Sequence, residues 1–177
     1  MFRPKESSTP LTILNIYNPP NTDNALPLLD DWLSALLALL AQMIVARDFN
    51  KHHLLWSSVE HPQRCRGSGV DRLTHIISQF GLTLASPCSI PTYWLAAHGI
   101  WSTLDLVLCT TDIEDRIQEC CMAHADWLPG ADHLPVHTVL ETSPWRSAPI
   151  EAQLREGGLA CLYQNADTAF TGHGCIC

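Results

Sequence analysis

Basic residues are scarce in this chain of 177 residues: ten Lys and Arg stand against eighteen Asp and Glu, a formal net charge of −8 with nine His held neutral. That balance excludes a histone-like or arm-driven nucleic-acid binder, whose affinity comes from many phosphate-neutralising cations. It leaves open a site for a divalent cation, which takes carboxylates. Long apolar runs are also missing. The longest, Trp32 to Val45, is interrupted by Ser34 and Gln42, and it falls short of the roughly 20 residues a spanning helix needs. The first ten residues hold Arg3, Lys5, Glu6 and two prolines but no apolar stretch, so no secretory signal is read there. None of the eight cysteines forms a C-x-x-C pair, and without a signal they read as reduced thiols, several serving as small apolar residues. The expectation is an intracellular protein with no membrane segment.

Apolar residues make up 46% and charged residues 16%, enough for a buried core and too little charge for disorder. Leu11–Tyr17 reads as a buried strand stopped by Asn18-Pro19-Pro20. Leu26–Leu40 has a helical stripe of leucines, with Asp30 and Asp31 near its start where the helix dipole favours acids. Gln42–Arg47 is a second short strand, 50–69 a loop, and Val70–Phe80 a helix closed by Gly81. Leu82–Ala85, Leu104–Leu108 and His133–Leu140 read as further strands, with a turn-rich link at Pro87–Tyr93 and a short helix or turn at Ile113–Cys121. This alternation argues for an α/β architecture. The expected division is a short segment at 1–10, one domain at 11–140, and a poorly ordered tail at 141–177 with one weak helix at 150–155.

Three acid-bearing motifs fall at strand ends, where α/β sheets place their sites. In Asp48-Phe49-Asn50 an extended backbone projects the carboxylate and the amide to the same side; the bland alternative is an Asx turn. Asp105 lies inside the apolar run Leu104–Leu108, where an unpaired charge is costly, so a partner is required, and His133 and His137 are the candidates. The third motif is Asp132-His133. His52, His53, His61 and Cys65 lie close together, but their spacing fits no ordinary structural zinc site. Charge is unevenly spread. Arg47, Lys51, Arg64, Arg66 and Arg72 outnumber Asp48, Glu60 and Asp71 across 47–72, whereas 103–132 holds seven acids against Arg116 alone. This suggests a phosphate-contacting rim beside an acidic pocket, or else an ordinary solvated loop. Trp56, Trp94 and Trp101 could stack on bases, though core packing is the commoner use.

Taken together and in order, six landmarks resemble the endonuclease/exonuclease/phosphatase family, most of all the endonuclease region of non-LTR retrotransposons. They are Ile16-Tyr17-Asn18-Pro19-Pro20, Val45-Ala46-Arg47-Asp48-Phe49-Asn50-Lys51-His52-His53 with Trp56, Phe80-Gly81-Leu82, Pro91-Thr92-Tyr93, Ser102-Thr103-Leu104-Asp105-Leu106-Val107-Leu108, and Asp132-His133-Leu134-Pro135-Val136. The resemblance implies the four-layer α/β sandwich of deoxyribonuclease I. It also implies hydrolysis of a phosphodiester assisted by Mg²⁺ or Mn²⁺, with nucleic acid, DNA first, as the partner, and hence a nuclear setting where DNA is cut. Asp48 would handle the attacking water and Asn50 a phosphate oxygen. Asp105 would orient His133, which would contact the scissile phosphate. Asp132 and Asp48 would face the metal, and Tyr17, Ser102 and His53 would lie on the substrate side.

Three departures bear on activity. Nothing upstream of Leu11 matches the family's Asn or the metal-binding Glu of its Gln-Glu pair, so an N-terminally truncated domain with a weakly held metal is expected. Arg47 stands where the family usually has Gly, and Ala131 where it usually has Ser. The leading expectation is therefore an endonuclease-like hydrolase of retrotransposon origin that is impaired. The competing readings are a non-catalytic remnant that at most binds nucleic acid or a partner, and a small-molecule phosphatase. No particular partner chain is indicated.

Overall fold

The computed structural model describes residues 11–37, 42–57, 65, 67–141 and 160–162. Segment 1–10 and the helix expected at 150–155 lie outside the described residues.

Strand β1 (Leu11–Asn15), helix α1 (Ala25–Leu37) and strand β2 (Gln42–Asp48) form a parallel crossover unit, with Leu11 in register with Gln42 and Asn15 with Ala46. After helix α2 (Ser68–Gln79) come β3 (Leu82–Leu84), a short hairpin of β4 (Tyr93–Leu95) and β5 (Ile100–Ser102), and β6 (Asp105–Thr110). Helix α3 (Thr111–Glu114), β7 (Ile117–Met122) and β8 (Val136–Leu140) follow. The main sheet has the order β3-β6-β2-β1-β9. Its last strand, β9 (Ala160–Leu162), comes from the segment read as a tail and runs antiparallel to β1.

Alternation along the central strands explains the layering. Met43, Val45, Leu106 and Leu108 face α1 and α2, meeting Leu26, Leu29, Leu33, Leu36, Leu73 and Ile76 in the larger core. Ile44, Ala46, Val107 and Cys109 face the other way, onto Ile113, Val136 and the β7–β8 pair. Both faces of β2 and β6 are thus covered, which is why these strands are apolar on successive residues rather than alternating. No helix of the described residues is long and apolar enough to cross a membrane.

Three elements differ from expectation. Ile113–Cys121 is not a helix or turn throughout: α3 ends at Glu114 and β7 begins at Ile117. A register irregularity between Ile117 and Glu119 breaks the alternation that marks a strand. Tyr93–Ser102 folds as a hairpin through Trp94 paired with Trp101 and through Gly99 at φ 63°; its strands are too short to register as a periodic run. The strand expected from His133 starts only at Val136, and His133 itself forms an isolated bridge to Tyr93.

Candidate active site

The C-terminal end of β2 and the start of β6 meet antiparallel, with Asp48 in register with Asp105. Both residues are buried. The chain then turns out of β2 through Arg47 at φ 111° and Asn50 at φ 49°. A left-handed conformation suits Asn but strains an Arg. The turn lets Asn50 fold back on Asp48: its backbone N–H donates to Asp48 Oδ1 at 2.8 Å and its side-chain Nδ2 to Asp48 Oδ2 at 2.6 Å. The second Nδ2 hydrogen reaches the Asn18 carbonyl at 3.0 Å. Asn18, fully buried, answers with Nδ2 donated to the Phe49 carbonyl at 3.0 Å and its backbone N–H to the Asp48 carbonyl at 2.9 Å.

Across the ladder, His133 Nδ1 donates to Asp105 Oδ2 at 2.8 Å. A carboxylate on Nδ1 fixes the tautomer that keeps the proton there and leaves Nε2 outward. Nε2 stands 3.9 Å from Asp48 Oδ2, beyond hydrogen-bond distance, so it is available to a third group. The ring is about one-third exposed, at 35%. Tyr93 packs a ring on it with centroids 4.8 Å apart. The hydrogen bond to Asp105, and after it the nearby charges of Asp105, Asp48 and Asp132, raise the affinity of His133 for its proton against the opposing effect of burial. Burial is the main cause pushing Asp48 from 3.8 to about 6; the Asn50 bonds and His133 pull the other way, and Asp105 adds to the rise. The His133–Asp105 dyad thus places a readily protonated imidazole beside a carboxylate, Asp48, whose proton affinity is raised to about 6.

Of the residues singled out by sequence, Asp48, Asn50, Asp105 and His133 are brought into one constellation. His137, the other candidate partner for Asp105, lies on β8 in register with Cys121. Asp132 is exposed, and its carbonyl accepts the Trp94 N–H at 2.7 Å. Tyr17 is 54% exposed. Ser102 pairs with Tyr93 in the hairpin. His53 caps its own turn, Nδ1 accepting the Leu55 N–H at 3.2 Å, and its ring lies 5.2 Å from Trp56. Trp56 is a core residue, 1% exposed, whereas Trp94, Trp101 and Trp127 form a surface stack with centroids 4.8 and 5.8 Å apart.

Thr92, within the Pro91-Thr92-Tyr93 landmark, holds the constellation together. Fully buried, its hydroxyl oxygen accepts the backbone N–H groups of Leu104 at 3.0 Å and Asp105 at 2.9 Å. Its carbonyl accepts the Leu134 N–H at 2.7 Å and its own N–H donates to Ser102 at 2.9 Å. One residue therefore fixes the backbones that carry Asp105 and His133. The signal available in the sequence was a lone hydroxyl in an apolar setting just before the aromatic pair.

The donor set does not make a Mg²⁺ cage by itself. Among the described residues no group of three or more His, Cys, Asp or Glu is placed to share an ion. Both oxygens of Asp48 already accept bonds from Asn50. Octahedral Mg²⁺ is held through one or two carboxylates with waters and substrate phosphates, and the described residues offer no larger cluster of donors for it.

The chain matches the model of the family described as Endonuclease-reverse transcriptase over residues 11–137. Among solved structures it is similar to the endonuclease domain of TRAS1, a telomere-specific non-LTR retrotransposon, at 20% identity and a TM-score of 0.57, over 70% of this chain and 54% of that one. It is similar also to the 3′ phosphatase NExo from Neisseria bound to a product DNA hairpin, at 10% identity and a TM-score of 0.58, over 73% of this chain and 61% of that one. The 3′–5′ exonuclease NExo from Neisseria meningitidis matches at 11% identity and a TM-score of 0.59, with the same coverage of 73% and 61%. These likenesses establish a shared fold, and the chain spans 54% to 61% of the length of those structures. No curated protein matches significantly.

Proposed function

Because this chain belongs to the Endonuclease-reverse transcriptase family, we propose that it is a nucleic-acid phosphodiester hydrolase of the retrotransposon endonuclease type. The observation that carries the reading is His133, held by Asp105 at 2.8 Å with Nε2 turned to a gap of 3.9 Å before Asp48. A phosphate oxygen in that gap would meet a charged imidazole, and a water beside it would meet a carboxylate able to take a proton near pH 6. In the step this arrangement suits, the water oxygen bonds to phosphorus and its proton passes to Asp48. The bond from phosphorus to the leaving sugar oxygen breaks, and that oxygen takes a proton from solvent. Asn50 acts here through Asp48, since both hydrogens of its amide are engaged; to hold a phosphate oxygen it would have to release one of them.

DNA is the proposed substrate. The DNA hairpin bound to the similar NExo structure supports a nucleic acid, and the basic residues after β2 support a polymer over a small ester. The family resemblance adds Mg²⁺ or Mn²⁺ as the charge-neutralising partner of the phosphate, with Asp48 and Asp132 as its ligands in this chain, and Tyr17, Ser102 and His53 along the substrate. The incomplete ligand set among the described residues supports a weakened enzyme. It also favours a second reading, a domain that binds nucleic acid without cutting it.

The purified chain incubated with supercoiled plasmid over a series of Mg²⁺ and Mn²⁺ concentrations decides between them. Nicking that disappears in both Asp48→Ala and His133→Ala establishes the hydrolase. Plasmid retardation without nicking at any concentration establishes the binding domain instead.

A further inference from the structure

Asn50 owes its place to more than its own turn. Next to it in sequence, Lys51 sends Nζ to Asp23 Oδ1 at 2.6 Å, and its side chain is only 12% exposed. The Lys51 carbonyl accepts the indole Nε1–H of the core residue Trp56 at 2.8 Å. Asp23 belongs to the turn after β1, where its carbonyl accepts the Leu26 N–H at 3.1 Å in the first turn of α1. Its carboxylate also lies hard against the first turn of α2: a Cβ on Gly69 would fall on the Asp23 carboxylate, although Gly69 has no unusual backbone conformation to explain a glycine. The same residues border a cleft of about 580 Å³ with Asn50 and Leu104 on its wall.

We infer that Asp23, Lys51 and Gly69 form a latch that sets Asn50, so that Asp23 and Lys51 are positioning residues of the site. An exposed Lys–Asp pair contributes little because water screens it and both side chains must be ordered. This pair is largely enclosed on the lysine side and sits at the positive end of a helix, which favours the carboxylate. Gly69 is the piece that admits it. The latch ties the loop carrying Tyr17 and Asn18 to the loop carrying Asn50, and Asn50 in turn delivers two hydrogen bonds to Asp48. Groups that orient a reacting residue act by removing its other arrangements rather than by touching substrate.

The catalytic consequence rests on the proposed hydrolase, but the latch itself has a readout without it. The Asn50 backbone N–H, bonded to Asp48 Oδ1, is followed by hydrogen exchange in the intact chain, with the core amide of Leu108 as reference. Asp23→Asn, Lys51→Met and Gly69→Ala are each expected to speed Asn50 exchange by about tenfold or more while leaving Leu108 within about twofold, and Lys51→Arg to stay near wild type. Unchanged Asn50 exchange, or equal acceleration at Asn50 and Leu108, overturns the latch, the second by showing general destabilisation. In the nicking assay the same three variants are expected to lower kcat by about tenfold with KM within about twofold. Equal loss through KM alone overturns the positioning role. A wild-type chain that nicks nothing sinks the hydrolase reading and leaves the exchange result to decide the latch.

Discussion

Asp48 and Asp105 stand opposite one another at the open end of the β2–β6 ladder, and only one of them is paired: His133 bonds Asp105 at 2.8 Å and stops 3.9 Å short of Asp48. That inequality divides labour between two like-charged groups. The carboxylate bonded to the ring raises its proton affinity, and the other, bonded by Asn50 and not by the imidazole, keeps a burial cost that raises its own to about 6.

The first consequence concerns Asp105. Asn at this position keeps the shape but offers Nδ1 a neutral partner, so His133 loses the main cause of its raised proton affinity. The His133 titration, followed by ring NMR, is expected to move down towards the ordinary value near 6.5. Nicking is expected to fall by about 10²–10⁴-fold, the range for losing a charge-stabilising contact or the carboxylate that orients a site histidine. A His133 titration indistinguishable from wild type in Asp105→Asn would remove Asp105 from the dyad.

Stability should carry an unusual dependence on pH. Asp48 titrates near 6 in the folded chain against 3.8 as its ordinary value. Between those values the unfolded chain has released this proton and the folded chain retains it, so stability falls as pH rises from about 4 to about 6. The ionised group then costs the folded state roughly 3 kcal/mol above that window. His133 acts in the same direction. Its raised affinity stabilises the fold fully below the unfolded value near 6.5, and the contribution is lost as pH climbs through the folded value. Urea unfolding without added metal should therefore show Asp48→Asn gaining on wild type between pH 4 and 6. His133→Gln should gain on wild type above pH 6.5. A gap between wild type and Asp48→Asn that is flat from pH 4 to 8 would contradict the assignment.

Much of this is legible in the sequence. The crossover of β1, α1 and β2 follows from two β-branched or apolar runs flanking a leucine stripe, and the need of Asp105 for a histidine follows from its place in an apolar strand. What escaped had physical reasons. β7 carries exposed Gln118 and Glu119 beside a register irregularity, so it lacks a period. Thr92 works through one hydroxyl oxygen, and Asp23, Lys51 and Gly69 are far apart in sequence and meet only in space. The bonds from the Asn50 amide to Asp48 and to the Asn18 carbonyl are likewise contacts that only the fold brings about.

Thr92 supports the dyad from behind, and its replacement separates structure from chemistry. Thr92→Val keeps the volume but removes the acceptor of two buried N–H groups, which is expected to cost about 2–3 kcal/mol in urea unfolding. Thr92→Ser keeps the oxygen and should recover most of it. In the valine variant the Asp105 N–H should lose its exchange protection before the amides of Leu106 and Leu108 do. Full retention of stability in Thr92→Val would show that the hydroxyl bonds are dispensable.

Arg47 offers a change in the opposite sense. It sits at φ 111°, a region that side chains rarely occupy and that costs on the order of 1–3 kcal/mol. It is exposed. Arg47→Gly relieves the strain and gives up roughly 0.4–1 kcal/mol through the freer unfolded chain, so a net stabilisation of about 1 kcal/mol is expected from urea unfolding. Arg47→Ala retains a Cβ at the same φ and should gain little, which distinguishes relief of backbone strain from simple loss of a charge. If the alanine variant gained as much as the glycine variant, the strain would lie in the side chain and not in the backbone that leads Asp48 into the site.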